Sequence, residues 1–342
     1  MTASASASAR TWAELELAPW RGRGLTHQEV SAAIDIAAAE HGALFRYDVR
    51  DGRVFCRRKT NDEIGPDANR AIVDMVNRRA RTYGELLQAS LRRSRVSGNF
   101  ALGIDVSDLP SSVEGLPLFS FQKRRHAANL LLPDIDLLEF GYFEHAHWRD
   151  RTRYRQKRNQ AIFVGSTTGE TLTLDTVRRL ATPRLRAAQA FRNSRRVIFQ
   201  LPNVVQCDSE ETAAAARALG FGETFVSWPE QMRYRHILSI DGNGATCSRV
   251  AVALHSNGTL VRYESDYELF YFKGLQPWVH FVPVAQDADV EAVVADSEAY
   301  PRRYAKIARA GRSFFSRHLR RGPCQRYVAA LLQGYVDMLD GR

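Results

Sequence analysis

Hydrophobic residues recur with helical spacing in two segments of the first half of the chain, residues 26–42 and 69–93. The first begins with a helix-capping residue and ends in glycine, and the second carries arginines on its polar side, so both are predicted as helices. Between them, apolar and polar residues alternate on both sides of Asp51-Gly52, a pattern typical of a β-hairpin. The apolar runs within residues 100–110 and 117–126 then predict two strands, each followed by a loop.

The second half has a more regular pattern, in which short apolar runs alternate with helical ones. The runs that we predict as buried strands are residues 161–165, 195–200, 235–241, 258–265 and 279–284. Strands that alternate with helices predict an α/β protein with a mostly parallel sheet covered on both faces. Because ligands bind at the carboxyl ends of such strands, the loops after these runs are where we look for chemistry.

Two segments fit neither pattern. Residues 1–24 are rich in alanine and serine and then become basic, so we expect a flexible N-terminal tail. Residues 149–160 are densely charged, and we expect them to form a surface connection between the two halves of the chain.

The composition limits the class of protein. A chain of 342 residues suggests about two domains, and a net charge of +10 favours anionic partners, although a solvated basic face explains the charge equally well. The four cysteines are too scattered for a disulfide framework or a zinc site. The N-terminus lacks the apolar segment of a secretory signal, and no apolar run is long enough to span a membrane. We therefore expect the protein in the reducing cytoplasm.

The segment SIDGNGATCSR, residues 239–249, contains Gly242-x-Gly244 directly after a predicted strand. A turn without any ligand, or the dinucleotide turn of an NAD-dependent oxidoreductase, would both explain it, although Cys247 stands where the dinucleotide motif has Gly or Ala. The small residues at 244–248 would let the backbone approach a diphosphate, and Arg249 would add a forked positive charge. These features suit a nucleotide whose diphosphate is a leaving group.

The segment FVGSTTGET, residues 163–171, is a second turn after a strand and is rich in hydroxyl groups. It is either a plain surface turn or a second part of the phosphate site, in which Ser166 and Thr167 donate hydrogen bonds. Arg178 or Arg179, on the helix predicted to follow, would then add positive charge.

Several acidic and aromatic residues have both a structural and a functional interpretation. Asp105 and Asp108 follow a strand and precede proline, where acids usually cap a turn but where one of them would also serve as a general base. Glu268 lies in an aromatic stretch and needs partners if buried, which makes it a candidate for binding ligand hydroxyls. The segment 145–148, His-Ala-His-Trp, is a poor metal site, and no metal ligands are predicted.

A set of segments in consistent order over residues 100–335 resembles glycosyltransferase family 90, which includes capsule-associated transferases, animal protein O-glucosyltransferases and bacterial lipopolysaccharide-modifying proteins. The segments are SDLP, PLFSFQK, FVGSTTG, WPEQMRYRHILSIDGNGATCSR, LHSNGTLV, YELFYFKGLQPWVHFVPV and IARAGRSFF. The resemblance implies a GT-B fold, in which two Rossmann-like domains face each other across a cleft. It also implies an inverting transfer from a UDP-sugar, commonly UDP-glucose or UDP-xylose, with no cofactor and no bound metal.

The family's functional residues map onto positions of this chain. Its catalytic aspartate, in an Asp-x-Pro context, corresponds to Asp108, although Ser107 stands where the animal enzymes commonly have arginine. Its Gly-Ser turn corresponds to Gly165 and Ser166. Its donor-binding loop corresponds to the residues Gly244, Ala245, Thr246, Cys247, Ser248 and Arg249.

The resemblance also implies a domain layout and an acceptor. Residues 25–155 would form the acceptor-side domain, 156–310 the nucleotide-sugar domain, and 311–342 helices that pack back toward the first domain. Glu139 and Trp148 are the expected acceptor contacts. The acceptor would be a glycan of lipopolysaccharide or capsule biosynthesis, and the basic charge would suit a lipid-linked one at the anionic inner face of the membrane.

A nucleic-acid-binding protein is the remaining alternative. Three arginine-rich runs, residues 91–95, 151–158 and 316–321, would support it. They lack interleaved aromatic residues and a recognisable reading helix, so no nucleic-acid partner is predicted.

Overall fold

The computed structural model describes residues 2–65, 68–94, 96–222, 224–245 and 247–342. The helices are α1 (Thr2–Leu17), α2 (His27–Glu40), α3 (Asn61–Ile64), α4 (Arg70–Leu91), α5 (Ile135–Glu139), α6 (Leu174–Arg178), α7 (Pro183–Ala190), α8 (Glu210–Ala218), α9 (Trp228–Gln231), α10 (Cys247–His255), α11 (Asp287–Ala299), α12 (Pro301–His318) and α13 (Arg321–Leu339). The strands are β1 (Leu44–Arg50), β2 (Arg53–Cys56), β3 (Phe100–Asp105), β4 (Phe119–Ser120), β5 (Lys123–Arg124), β6 (Leu130–Leu131), β7 (Arg158–Ser166), β8 (Val197–Asn203), β9 (Tyr234–Ser239), β10 (Thr259–Tyr263), β11 (Tyr267–Glu268) and β12 (Val282–Val284).

The chain divides into two units that each have their own internal contacts. The N-terminal unit consists of Met1–Tyr142, Tyr267–Lys273 and His318–Arg342, and the C-terminal unit consists of Phe143–Asp266 and Gly274–Arg317. These divisions differ from the expected ones after residues 155 and 310.

The segment 149–160 is largely exposed, as its charge suggested, but it does not connect the two units. Asp150 and Lys157 form a buried ion pair of 2.6 Å inside the C-terminal unit, and the backbone N–H of Asn257 donates to the same carboxylate. Because two of its charges neutralise each other in the interior, this segment belongs to the C-terminal unit. Charge density alone could not distinguish a buried pair from a solvated linker.

The N-terminal unit is built on a mixed five-stranded sheet in the order β2-β1-β3-β4-β6. Strand β1 is antiparallel to both β2 and β3, which confirms the hairpin at Asp51-Gly52, whereas β3, β4 and β6 are parallel. All six residues of β3 are buried. The carboxyl ends of the three parallel strands therefore lie at the same edge of this sheet.

The expectation of a flexible tail at residues 1–24 was wrong. Helix α1 occupies most of this segment and packs along α13, with Trp12, Leu17 and Trp20 buried. Leu17 lies so close to Gly334 of α13 that a Cβ there would come within 2.4 Å of its side chain. The apolar spacing of these few residues outweighs the alanine- and serine-rich composition, because burying large side chains repays the cost of ordering a helix.

The C-terminal unit contains a parallel five-stranded sheet in the order β12-β10-β9-β7-β8. The five runs predicted as strands each overlap one of these strands, and the α/β class is confirmed. Its core packs residues such as Phe163, Leu238 and Val261 of the sheet against Val294 and Ile307 of the helices. The chain runs outward from β7 to β8 and then returns past β7 to β9, so the strand order reverses between β7 and β9.

No helix in the part of the chain that the structure describes is both long and apolar enough to cross a membrane. The GT-B arrangement stays a prediction.

Candidate active site

The glycine turn and the hydroxyl-rich turn meet at the carboxyl edge of the parallel sheet. The first follows β9 and the second follows β7, so they flank the point at which the strand order reverses. The backbone N–H of Gly169 donates to Oδ1 of Asn243 at 3.0 Å and joins the two turns. Open α/β sheets bind their ligands in the crevice at this position, because loops that leave in opposite directions open a gap there.

Arg184 connects the two turns and was missed by the sequence reasoning. Its guanidinium donates to the carbonyl of Ser166 (2.9 Å) and Oγ1 of Thr168 (2.8 Å), and to the carbonyls of Ile240 (3.1 Å) and Asp241 (3.0 Å). The side chain is 5% exposed. It is held there because Thr182 caps α7, whose first turn contains Arg184.

Arg249 lies in the first turn of α10 and is also buried. Its Nη2 donates to the carbonyl of Val164 (2.6 Å) and its Nη1 to Oε1 of Gln231 (3.1 Å), while its Nε has no partner among the described residues. The guanidinium lies between the rings of Phe163 and Trp228, at 4.1 and 4.8 Å from their centroids. This cation is therefore fixed in orientation by neutral groups only.

The two arginines create an unusual concentration of buried positive charge. Burial, together with repulsion from Arg184, lowers the pKa of Arg249 to about 9. Burial also lowers the pKa of Arg184 to about 10, although attraction to the Asp241 carboxylate partly opposes this shift. Within the described ranges neither guanidinium forms an ion pair. A bound anion at this edge would offset the cost of burying these charges.

The glycines make room for these arginines. A Cβ at Gly242 would lie 2.4 Å from Oγ1 of Thr168 and 2.6 Å from Nη2 of Arg184. A Cβ at Gly165 would lie 2.9 Å from the ring of Phe163 and 3.4 Å from Nη2 of Arg249. Both positions therefore need glycine for packing against side chains rather than for a special backbone angle.

The other residues predicted to bind the donor differ in their burial and in how far the structure describes them. Gly244 and Ala245 are buried, and Ser248 is half-buried at the start of α10. Thr246 lies outside the described residues, and Cys247 is described only as the first residue of α10. Thr167 is buried and exchanges hydrogen bonds with the backbone of Val205.

Three charged residues singled out in the sequence have different surroundings. Arg178 is exposed at the end of α6, on the other side of a loop from Arg184. Glu268 lies in β11, which pairs with β5 in the N-terminal unit. Glu139 accepts a hydrogen bond from Arg78 at 2.9 Å at the end of α5.

Trp148 was expected to contact the acceptor, but it lies in the C-terminal unit and is 6% exposed. Its ring packs edge-on against Phe143, with centroids 4.7 Å apart. A ring buried in this way offers no exposed face on which a sugar could stack.

Asp241 is a titratable group beside the arginines. Its Oδ2 accepts a hydrogen bond from Oγ of Ser265 at 2.6 Å. Burial raises the pKa of its carboxyl to about 6, although the Ser265 hydroxyl and two nearby arginines oppose the shift. Its charge therefore changes close to neutral pH.

The two aspartates of the N-terminal unit have different surroundings. Asp105 is 1% exposed, and its two oxygens accept from the backbone N–H groups of Ser107 (2.8 Å) and Ser111 (2.7 Å). It thus holds the loop, as the capping interpretation predicted. The side chain of Asp108 is 46% exposed, and its Oδ1 forms an ion pair with Nη1 of Arg79 at 2.9 Å.

Arg79 was not predicted from the sequence, where it is one of several arginines on α4. It also donates to the carbonyl of Val106 at 2.9 Å and lies over the ring of Phe121. The side-chain amide of Gln122 donates to the carbonyl of Asp108. The loop is therefore fixed from two sides, and the partly exposed carboxylate of Asp108 lies beside a positive charge.

No cluster of three or more His, Cys, Asp or Glu side chains that could hold a metal ion occurs within the described ranges.

Comparison with known proteins identifies the family of this chain. The model of glycosyl transferase family 90 matches residues 106–342, which contain Asp108, both turns and both buried arginines. The chain belongs to glycosyl transferase family 90. The match begins within the loop that carries Asp108 and extends through the whole C-terminal unit.

Individual relatives of this family member are distant. The chain is similar to O-glucosyltransferase LpsA of Dichelobacter nodosus, with 24% identity over 68% of this chain and 65% of that protein. It is also similar to O-glucosyltransferase rumi of Drosophila melanogaster, with 23% identity over 66% of this chain and 56% of that protein. Protein O-glucosyltransferase 2 of Danio rerio is 27% identical over 33% of this chain and 23% of its own length. The matched regions span less than two thirds of these relatives.

Proposed function

We propose that this protein is an inverting, metal-independent glycosyltransferase of the GT-B type. It would transfer glucose or xylose from a UDP-sugar to a hydroxyl of a glycan acceptor in lipopolysaccharide or capsule biosynthesis. The observation that carries the proposal is the pair of buried arginines, Arg184 and Arg249, at the point where the strand order of the parallel sheet reverses. Family membership favours this function over the NAD-dependent alternative.

The donor would bind with its diphosphate against the two turns. Arg249 and the first N–H groups of α10 would bind its oxygens, and Arg184 would hold the two turns at a fixed separation. Because the positive charge is buried before the ligand arrives, it interacts strongly with the charge that grows on the departing UDP. The relatives named as O-glucosyltransferases favour glucose as the transferred sugar.

Asp108 would act as the general base. The acceptor oxygen forms a bond to the anomeric carbon while the bond from that carbon to the phosphate oxygen breaks, and the hydroxyl proton passes to Oδ2 of Asp108. The ion pair with Arg79 positions the Asp108 side chain and occupies only Oδ1. A positioned base of this kind contributes roughly 10²- to 10⁴-fold in rate.

A panel of UDP-sugars tests the donor. Thermal denaturation with each sugar measures binding, and slow release of UDP measures hydrolysis. We expect the largest rise in Tm and measurable hydrolysis with UDP-glucose or UDP-xylose. Stabilisation by NAD but not by UDP would refute the proposal.

The Asp108→Asn variant tests the base. We expect it to keep UDP affinity and to lose hydrolysis and transfer, because the amide has the same shape but cannot accept the proton. Glu114→Gln is the matched control, since Glu114 is an exposed acid in the same loop region. Turnover in Asp108→Asn close to that of Glu114→Gln would remove Asp108 from the mechanism.

A further inference from the structure

Helix α12 exposes a continuous basic surface in the C-terminal unit. Its 18 residues include no acidic residue. Its exposed basic residues are Arg302, Arg303, Lys306, Arg309, Arg312 and Arg317. The opposite side of the helix, which includes Tyr304, Phe314 and Phe315, is buried. The helix thus separates its apolar residues from its charges more completely than a solvated helix with mixed charges does.

Apart from Arg303, these cations form no ion pair in the part of the chain that the structure describes, and three of them share one face of the helix. Arg303 reaches Asp296 at 3.4 Å, whereas Arg302, Lys306 and Arg309 have no such partner among the described residues. Their spacing of four and then three residues places them on one face of the helix. Many exposed arginines elsewhere are paired, as Arg58 is with Asp74 in the N-terminal unit. The excess positive charge of the protein is therefore partly concentrated on this face.

Large apolar side chains are exposed beside the start of α12. Trp278, Val279 and Tyr300 are 46%, 44% and 62% exposed, and the guanidinium of Arg303 lies 4.8 Å from the centroid of the Trp278 ring. These three residues lie together with the beginning of the basic face.

The backbone holds Trp278 outward. Its φ is +60°, in the left-handed region that bulky residues rarely adopt. Its N–H donates to the carbonyl of Phe281 at 2.7 Å, and the N–H of His280 donates to the carbonyl of Gln276 at 2.9 Å. A tight loop thus keeps an unfavourable conformation that displays an indole ring to solvent, which is typical of a functional position.

We propose that this surface binds an anionic lipid bilayer. We call it the α12 face, and it consists of Arg302, Lys306, Arg309, Trp278, Val279 and Tyr300. The three unpaired cations would attract anionic headgroups, and the indole and phenol rings would lie at the boundary between headgroups and acyl chains, where Trp and Tyr are favoured.

Val279 favours a bilayer over a nucleic acid as the partner, because an exposed aliphatic side chain gains nothing from a phosphate backbone but gains from leaving water. The helix would lie on the membrane surface and not cross it. This inference goes beyond the transfer reaction and does not depend on it.

Vesicle binding by the full chain tests whether the basic residues of the α12 face attract anionic headgroups. The probes are phosphatidylcholine vesicles with and without about a third of phosphatidylglycerol, at about 0.1 M salt. Each basic residue near an anionic surface contributes about fivefold to partitioning, so Arg302→Gln/Lys306→Gln/Arg309→Gln should bind about 100-fold more weakly. The matched control is Arg53→Gln/Arg92→Gln/Arg93→Gln, which removes the same charge from exposed residues of the N-terminal unit and should bind like the wild type.

Tryptophan fluorescence tests whether the exposed apolar residues of the α12 face enter the bilayer. We expect the emission of the wild type to shift to the blue on anionic vesicles and to be quenched by brominated lipid, and Trp278→Phe should lose both responses while still binding. Equal binding to neutral and anionic vesicles, or equal losses in the two triple variants, would overturn the inference. Binding of duplex DNA that depends on the same three residues, with no vesicle binding, would assign the α12 face to nucleic acid instead.

Discussion

Replacing Arg249 with methionine separates a ligand-binding arginine from a structural one. Burial and repulsion from Arg184 together lower the pKa of Arg249 from 12.5 to about 9, which corresponds to a cost of roughly 5 kcal/mol for keeping its charge in the folded protein. Its two hydrogen bonds, to Val164 and Gln231, contribute about 1.5–3 kcal/mol each. The Arg249→Met substitution removes both the cost of the buried charge and the two hydrogen bonds, and the methionine side chain still packs between the rings of Phe163 and Trp228. We therefore expect the free energy of unfolding without ligand to change by less than about 2 kcal/mol.

The Arg249→Met substitution should change UDP affinity much more than it changes the free energy of unfolding. Losing charge-assisted hydrogen bonds to the diphosphate should weaken binding by about 100- to 1000-fold. For the wild type, UDP at about 100 times its Kd stabilises the protein by about 2.7 kcal/mol, which should raise Tm by roughly 5 °C. At the same UDP concentration the Arg249→Met variant should show almost no rise.

The assay combines thermal denaturation with and without UDP and calorimetric titration of UDP. Arg195→Met is the matched control, because Arg195 is exposed and precedes β8 at the opposite, amino edge of the same sheet. It removes the same charge and should keep the full rise in Tm. A strongly destabilised Arg249→Met protein that still binds UDP with the affinity of the wild type would refute the reasoning.

Three further predictions concern stability and the turns. Glu16→Gln should lower the free energy of unfolding in urea by about 3–5 kcal/mol, because it leaves the buried ammonium group of Lys123 and the partly exposed one of Lys273 without their carboxylate, whereas exposed Glu14→Gln should have little effect. The pKa of Asp241 is raised from 3.8 to about 6, so between these pH values the folded protein holds a proton that the unfolded chain has lost. The stability of the wild type relative to Asp241→Asn should therefore fall as pH rises from about 4 to 6. Chemical denaturation at a series of pH values that shows no such fall would contradict this prediction. Gly242→Ala should weaken UDP binding in calorimetry because its methyl group would displace Arg184, whereas Gly84→Ala, which meets only an ordinary contact, should raise the free energy of unfolding by about 0.5–1 kcal/mol.

Local patterns predicted the parts of the fold that depend on neighbouring residues. The alternation of apolar runs and helical spacing predicted the parallel sheet of the C-terminal unit, and Asp51-Gly52 predicted the hairpin. The glycine turn after β9 and the hydroxyl-rich turn after β7 could be identified because the carboxyl ends of parallel strands meet at one edge. The contribution of Asp105 to its own loop was also foreseen, since an Asx turn involves residues that are close in sequence.

Contacts between distant segments could not be predicted in this way. Arg184 donates to a carbonyl 56 positions away, and Lys273 pairs with a carboxylate 257 positions away. In the sequence, Arg184 is one of many arginines, and Arg178 nearby was the one selected. Which of them becomes buried depends on how α7 packs on the sheet, and this is a property of the whole unit.

The sequence by itself determined the strand and helix periodicity, the two turns and the membership of a glycosyl transferase family, because each of these is recorded in short segments and their order. Only the tertiary structure decided which charges are buried and with what partners: Arg249 among neutral groups, Asp150 with Lys157, and Arg79 beside Asp108. The physical reason is that the free energy of a charged side chain depends on its solvation and on the groups within a few ångströms, and these are fixed only when segments far apart in the chain pack together.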